Sequence, residues 1–348
     1  MTQEAIQVLS LYNARVSLAT EGARMRIGKR LAALVIFSLM TIGIGPGHRH
    51  VLSAQTRATE SAPETPSGAR PVTIPVGIRV KGMKPEPELQ MVDLSVSEDG
   101  DPQTILSIRA IGNNSPLTLA VLIQDDLVQS VSNEIKPIGD FIRRLPKNSR
   151  VLVGYLRTGS LQVRQKFTID LDKAAKALRS PLAVATAGPS SPYIEVIEAI
   201  KRFDAQPSGR RAILLVSDGL DISRGVDSSS ATQSIDLQRA INDAQRRGIA
   251  IYAFYAPSVA TQSPILAANA QSSLQRLADE TGGRAFFQGT GAPVSFDPYL
   301  TSLTSSLETQ IALTYLSTHP AKGFHRIKVR SATSGVELEH PAGYMRAN

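Results

Sequence analysis

Three apolar runs, LTLAVLI at 117–123, AILLV at 212–216 and IAIYAFY at 249–255, constrain the fold of this chain more than any other feature. None alternates apolar with polar residues, so each suits a strand covered on both faces, as central strands of a parallel sheet are. The segments between them carry helical spacing. Ile135, Ile138, Ile142 and Leu145 would share one helix face, with Pro137 tolerable in the first turn. Residues 234–247 read as a helix closed by Gly248, with arginines near its negative end. Further helices are expected over 171–178, 193–203, 272–280 and 299–307, a strand pair over 150–156 and 162–167, and a short strand over 285–287. Strands alternating with helices predict an α/β fold: a Rossmann-like, doubly wound, mostly parallel sheet over residues 116–310.

The flanks read differently. Residues 72–80, 91–97 and 103–111 are extended segments, with a hairpin turn at Glu98-Asp99-Gly100-Asp101, and 311–316, 326–329 and 336–339 are extended again. Each flank alone has too few strands to bury a core. The expectation is therefore a small β domain formed by 72–115 packing with 311–348, with the α/β domain inserted between them.

Residues 1–54 read as a leader. MRIGKR at 25–30 is a basic region, 31–44 an apolar run of about 14 residues, and LSA before Gln55 a small-residue cleavage candidate. The apolar run is shorter than the ~20 residues of a spanning helix, which favours a signal peptide, with Met25 as the start that suits it, over a retained anchor. Any membrane attachment would come through this segment, left uncleaved. Residues 55–71, rich in Pro, Ser, Thr and Ala, read as a disordered linker. The protein is expected to be exported, periplasmic or secreted.

Composition excludes several chemistries. There is no cysteine, hence no disulfide, thiolate metal site or Cys nucleophile. The net charge is +8, but residues 1–54 hold six basic and two acidic residues, about half of it. With aromatics at 5%, the rest lacks the dense basic stripe and stacking surfaces of a nucleic-acid binder. No HExxH, GxSxG or Walker pattern occurs. His319 and His325 read as loop residues, Arg210-Arg211 as solvated charges beside a strand, and Gly282-Gly283 as a turn.

In an open α/β sheet, the loops at the carboxyl ends of the strands converge on one crevice. Three loops qualify: 124–130, 188–191 and 217–223, which together offer Asp125, Asp126, Asp218, Asp221 and several hydroxyls. Hard cations such as Mg²⁺ or Ca²⁺ want such oxygens. Strand ends are also polar simply because they meet water, and Asp and Ser cap helices well. Both readings stand on these residues.

RRAILLVSDGLD at 210–221 and RLADETGGRAFF at 276–287, in this strand order, resemble a von Willebrand factor type A domain. With LSVSEDGDPQTILSI at 94–108 and IALTYLSTHPAKGFHRIKVR at 311–330, the chain is similar to the von Willebrand A-related proteins of acidobacteria over roughly 72–346. The resemblance implies a metal-ion-dependent adhesion site: Asp-x-Ser-x-Ser after the first strand, a Thr from a second loop and an Asp from a third. Asp218 matches the third element, and Ser190 or Ser191 could stand for the Thr. The first element departs. With Asp125 leading, the two Ser positions are Leu127 and Gln129; with Gln124 leading, they are Asp126 and Val128. Either register loses at least one hydroxyl, which Mg²⁺ tolerates badly and Ca²⁺ better.

The expected candidate metal set is thus Gln124, Asp125, Asp126, Ser190, Ser191 and Asp218, a degraded cradle with at most weak Ca²⁺ or Mg²⁺ binding and no other cofactor. The expected function is an exported, non-enzymatic, adhesion-like interaction module with a protein partner. Competing readings are a structural envelope component without a specific ligand, and a divalent-metal-dependent enzyme using Asp125, Asp126 and Asp218.

Overall fold

The computed structural model describes residues 68–80, 93–112, 115–157, 159–184, 190–258, 261, 263–289, 291 and 293–346. The expected leader and most of the expected linker lie outside the described residues, and Arg70 and Pro71 already belong to the first strand. In chain order come β1 (Arg70–Val80), β2 (Leu94–Glu98), β3 (Asp101–Ala110), β4 (Leu117–Gln124), α1 (Ile135–Arg143), β5 (Arg150–Arg157) and β6 (Ser160–Thr168). Next are α2 (Leu171–Lys176), α3 (Pro192–Lys201), β7 (Arg210–Ser217), α4 (Ile235–Arg247), β8 (Ile249–Tyr255), α5 (Pro264–Thr281), β9 (Ala285–Phe286) and α6 (Asp297–Glu308). The chain ends in β10 (Ile311–Ser317), β11 (Gly323–Ser331), β12 (Val336–Glu339) and β13 (Gly343–Arg346).

The continuous apolar runs became the middle of a six-stranded sheet, ordered β6-β5-β4-β7-β8-β9. β5, β4, β7, β8 and β9 run parallel and β6 antiparallel. Every residue of β4 is buried, because alternate side chains feed two cores. Leu119, Val121 and Ile123 pack with Ile138, Phe141 and Ile142 of α1 and with α6. Ala120 and Leu122 face Tyr193 and Val196 of α3, Leu237 of α4 and Leu274 of α5. The chain order reverses between β4 and β7, so the carboxyl ends of these two strands flank the crevice where such sheets place ligands.

A second sheet of seven strands is ordered β12-β1-β10-β3-β2-β11-β13 and combines segments from both flanks of the chain. β10 pairs antiparallel with β1 and with β3, and β2 joins β3 through the Asp99-Gly100 turn. Alternate residues, Val72, Ile74, Val76, Val96, Leu313, Tyr315, Ile327 and Val329 among them, form its core.

Two sequence expectations are corrected. Arg210 and Arg211 are not solvated charges. Arg210 donates to the carbonyls of Gly112 (2.7 Å), Ser115 (3.0 Å) and Leu307 (2.7 Å) and to Oε1 of Gln310 (2.9 Å). It thereby ties together both connections between the sheets. Arg211 donates to the carbonyls of Gln206, Pro207 and Arg247. His325 is not a loop residue either: it sits within β11 and is 4% exposed. No helix among the described residues is long and apolar enough to cross a membrane.

Candidate functional site

Gln124 closes β4 and is the hub of the crevice. Its carbonyl Oε1 accepts from the Ser217 hydroxyl (2.5 Å) and the Asp218 amide (3.2 Å), both at the end of β7. Its Nε2 donates to Oδ1 of Asp126 (2.8 Å). Ser217 Oγ in turn accepts from the Gly219 amide (2.9 Å), and Asp218 Oδ1 accepts from the Leu220 amide (3.0 Å). One primary amide thus lies between two carboxylates and satisfies both its own ends.

Asp218 is buried, and this burial pushes its pKa up to about 6; Asp126 nearby adds to the rise, while Ser258, Leu220 and Gln124 oppose it. Asp221, one turn further, accepts from the Ser223 amide (3.1 Å) and hydroxyl (2.7 Å) and from Ser234 Oγ (2.5 Å). Ser234 caps α4 by accepting from the Leu237 amide (3.1 Å), so Asp221 fixes the start of that helix.

Asp125, adjacent to Asp126 in the chain, turns to a different partner. Its two oxygens accept from Nη1 (2.7 Å) and Nη2 (2.8 Å) of Arg179, and Oδ1 also accepts from the Leu182 amide (3.1 Å). The guanidinium stacks over the Tyr155 ring at 4.0 Å. Asp125 is therefore neutralised by a bidentate arginine on the α2–α3 connection.

The remaining expected residues are split. The Ser190 carbonyl accepts from the Ile222 amide (3.0 Å), which holds its loop against the β7 loop. Ser191 is buried, and its hydroxyl has no hydrogen-bond partner among the described residues. Leu127 is fully buried in the core shared with α1, and its backbone bridges to Ser258 after β8. Ser217 lay in a loop the sequence had singled out, but Arg179 and Ser258 had no sequence signal, because each acts through a neighbour distant in the chain.

Several large hydrophobics are exposed at this end of the sheet, among polar loop residues such as Arg224 and Asp227. Among the described residues, the large exposed hydrophobics are Leu106, Ile169, Leu182, Val184, Ile194, Val226, Ile235, Ile265, Phe287, Val294 and Phe324. Eight of these lie at one end of the six-stranded sheet. Leu182 and Val184 are on the loop that docks on Asp125; Val226, Phe287 and Val294 follow β7 and β9. Ile194, Ile235 and Ile265 stand in the first turns of α3, α4 and α5, which begin at that end.

No family model matches the chain, and no curated protein matches it. The solved structures similar to it include von Willebrand A domains. A von Willebrand factor type A protein from Catenulispora acidiphila is 12% identical with a TM-score of 0.38, over 68% of this chain and 71% of that one. An aerotolerance-related membrane protein from Bacteroides fragilis is 12% identical with a TM-score of 0.38, over 55% of this chain and 98% of its own. Three N-terminal domains of the type V pili tip protein Mfa5 from Porphyromonas gingivalis are 8% identical with a TM-score of 0.38, over 81% and 78%. The α/β fold of this chain rests on its own strand order and register.

Proposed function

We propose that this protein is an exported, non-enzymatic protein-interaction module of von Willebrand A type, whose crevice works without a divalent ion and whose seven-stranded sheet serves as a small carrier domain. The observation that carries the reading is the clustering of eight exposed large hydrophobics around the carboxyl end of the six-stranded sheet. Soluble surfaces seldom gather apolar side chains at one end unless a partner covers them, and binding residues favour loops held by a rigid scaffold. Export is supported by the basic region, apolar run and LSA site of residues 25–54.

The donor set does not suit a hard cation. In the register that starts at Gln124, the leading carboxylate is an amide whose N–H points at Asp126 and whose oxygen is already shared by Ser217 and Asp218. In the register that starts at Asp125, the carboxylate belongs to Arg179 and the next position is the core residue Leu127. Mg²⁺ needs near-octahedral oxygen ligation, which neither register supplies. Nor does the crevice set a histidine base beside its hydroxyls, since the described histidines belong to the other sheet or its connections, and the Ser223 and Ser234 hydroxyls are held by Asp221 as part of the loop and helix cap.

Two measurements test this. Gln124→Asp puts a third carboxylate where the amide stood. The variant should unfold at lower temperature than the wild type in EDTA and regain stability with Mg²⁺ or Ca²⁺, while the wild type responds to neither. A large Mg²⁺-dependent stabilisation of the wild type would favour the working metal site and reopen the enzyme reading. For the partner, crosslinked pull-down from envelope extract of the native host should recover the same protein with EDTA or Mg²⁺, and lose it in Val226→Asp/Ile265→Asp. Recovery unaffected by that double variant would leave the structural envelope role as the better account.

A further inference from the structure

Away from the crevice, at one end of the seven-stranded sheet, Asp99, His319 and His325 bring one ligand atom each within 4.8 Å of one another. We propose that these three side chains form a binding site for a borderline divalent transition metal, zinc above all, which pins the β2–β3 turn to the connection between β10 and β11. Two imidazoles and a carboxylate are the donor set of Zn²⁺ and its neighbours, and a poor set for Mg²⁺ or Ca²⁺.

The orientation of His325 fits a ligand. Its Nε2 lies 2.8 Å from the Ala321 carbonyl, which can only accept, so that nitrogen carries a proton. The opposite nitrogen, Nδ1, donates to Oδ2 of Asp99 at 2.7 Å, with Oε1 of Glu98 at 3.4 Å, so a metal bound there would displace that proton and take the place it now occupies. A backbone carbonyl that fixes one ring nitrogen and aims the other at the metal is the usual support of a ligating histidine. Tyr344 stacks on the ring at 5.4 Å and holds its plane.

The surroundings also call for a cation. Glu98 is fully buried; among the described residues its Oε2 makes no well-formed hydrogen bond, with the Tyr315 hydroxyl nearby, while Oε1 accepts from Ser317 and Tyr344. His319 Nε2 makes no hydrogen bond among the described residues and lies 3.3 Å from Oδ2 of Asp101, close enough for an ion pair. Three carboxylates therefore surround two imidazoles, a field that attracts a divalent ion. Asp101 stands where it could supply a fourth ligand. His319 and Asp99 keep side-chain exposures of 23% and 36%, enough freedom to turn toward an ion that Zn–N and Zn–O bonds of about 2 Å require.

The test is a titration of the full chain with Co²⁺, whose visible absorption intensifies in a tetrahedral site, followed by displacement with Zn²⁺. The background carries His48→Ala/His50→Ala, which removes the His-Arg-His of the leader as a rival ligand. Saturation at one equivalent is expected, with loss of the signal and at least tenfold weaker Zn²⁺ binding in both His319→Ala and Asp99→Asn, while their metal-free melting curves stay near that of the parent. Mg²⁺ should not compete. Absence of the tetrahedral spectrum in the parent, or undiminished stoichiometric binding in His319→Ala, would overturn the site. Asp99→Asn separates ligation from folding, because its amide can still accept the Arg326 N–H that Oδ1 now holds at 2.8 Å.

Discussion

Asp125 faces Arg179 while Asp126 faces Gln124, although the two are neighbours in the chain. Both stand in the turn just beyond β4, where the alternation of a strand no longer sets direction, and the sequence alone places them together in one crevice. Neither their divergence nor what each would meet was legible there. Arg179 lies 54 positions from Asp125 on a connection without periodic pattern, and only the fold brings them together. The carboxyl of Asp125 is 4% exposed and the guanidinium 28%, so removing the arginine strands a buried charge. Arg179→Ala should cost about 3 kcal/mol in urea unfolding. Asp125→Asn in the same background should recover part of that loss, since the uncompensated charge is then gone. A single-variant loss within experimental error would show that the pair contributes orientation rather than stability.

At the scale of elements, apolar runs and caps located the central strands and most helices, because burial on both faces and helical period leave strong marks. α5 was underestimated. It begins at Pro264, at least a turn before its apolar pattern, since Ala267 and Ala270 are buried but too small to signal a period. β13 was also missed, a four-residue strand recognisable only by its pairing with β11. His340 lies between β12 and β13 and makes a testable contact there. Its Nδ1 donates to the Pro341 carbonyl (2.9 Å) and its Nε2 accepts from the Val329 amide (3.3 Å), a pair of bonds that only the neutral ring can make. Burial holds its pKa below the usual imidazole value. A depressed histidine binds protons more readily in the unfolded chain, so its contribution is complete above about pH 6.5 and is lost as the pH falls further. His340→Gln, which keeps an acceptor for Val329, should therefore lose less stability than the wild type between about pH 7 and pH 5. Denaturant midpoints at the two pH values decide this, and parallel curves would exclude His340 as a source of acid sensitivity.

At the scale of the molecule, the α/β region leaves the seven-stranded sheet after β3 and returns to it at β10, so two short connections carry all the covalent continuity. They run side by side: the Ile111 amide donates to the Gln310 carbonyl at 2.9 Å. Gly112 approaches so closely that a Cβ there would stand 1.8 Å from the Glu308 carbonyl oxygen. Arg210, at the first position of β7, reaches both connections with one planar group, three carbonyls and an amide oxygen at 2.7–3.0 Å. A lysine presents no such fork. Burial lowers the pKa of Arg210, yet it stays charged, so each carbonyl meets a charge-assisted donor. Arg210→Ala should cost on the order of 3 kcal/mol. Its more specific consequence is loss of cooperativity: the wild type should melt in one calorimetric transition and the variant in two, as each sheet unfolds around its own core. Arg210→Lys should lie between the two. A single transition in Arg210→Ala, merely shifted to lower temperature, would mean that the packing of α6 against β1 couples the sheets without the clamp.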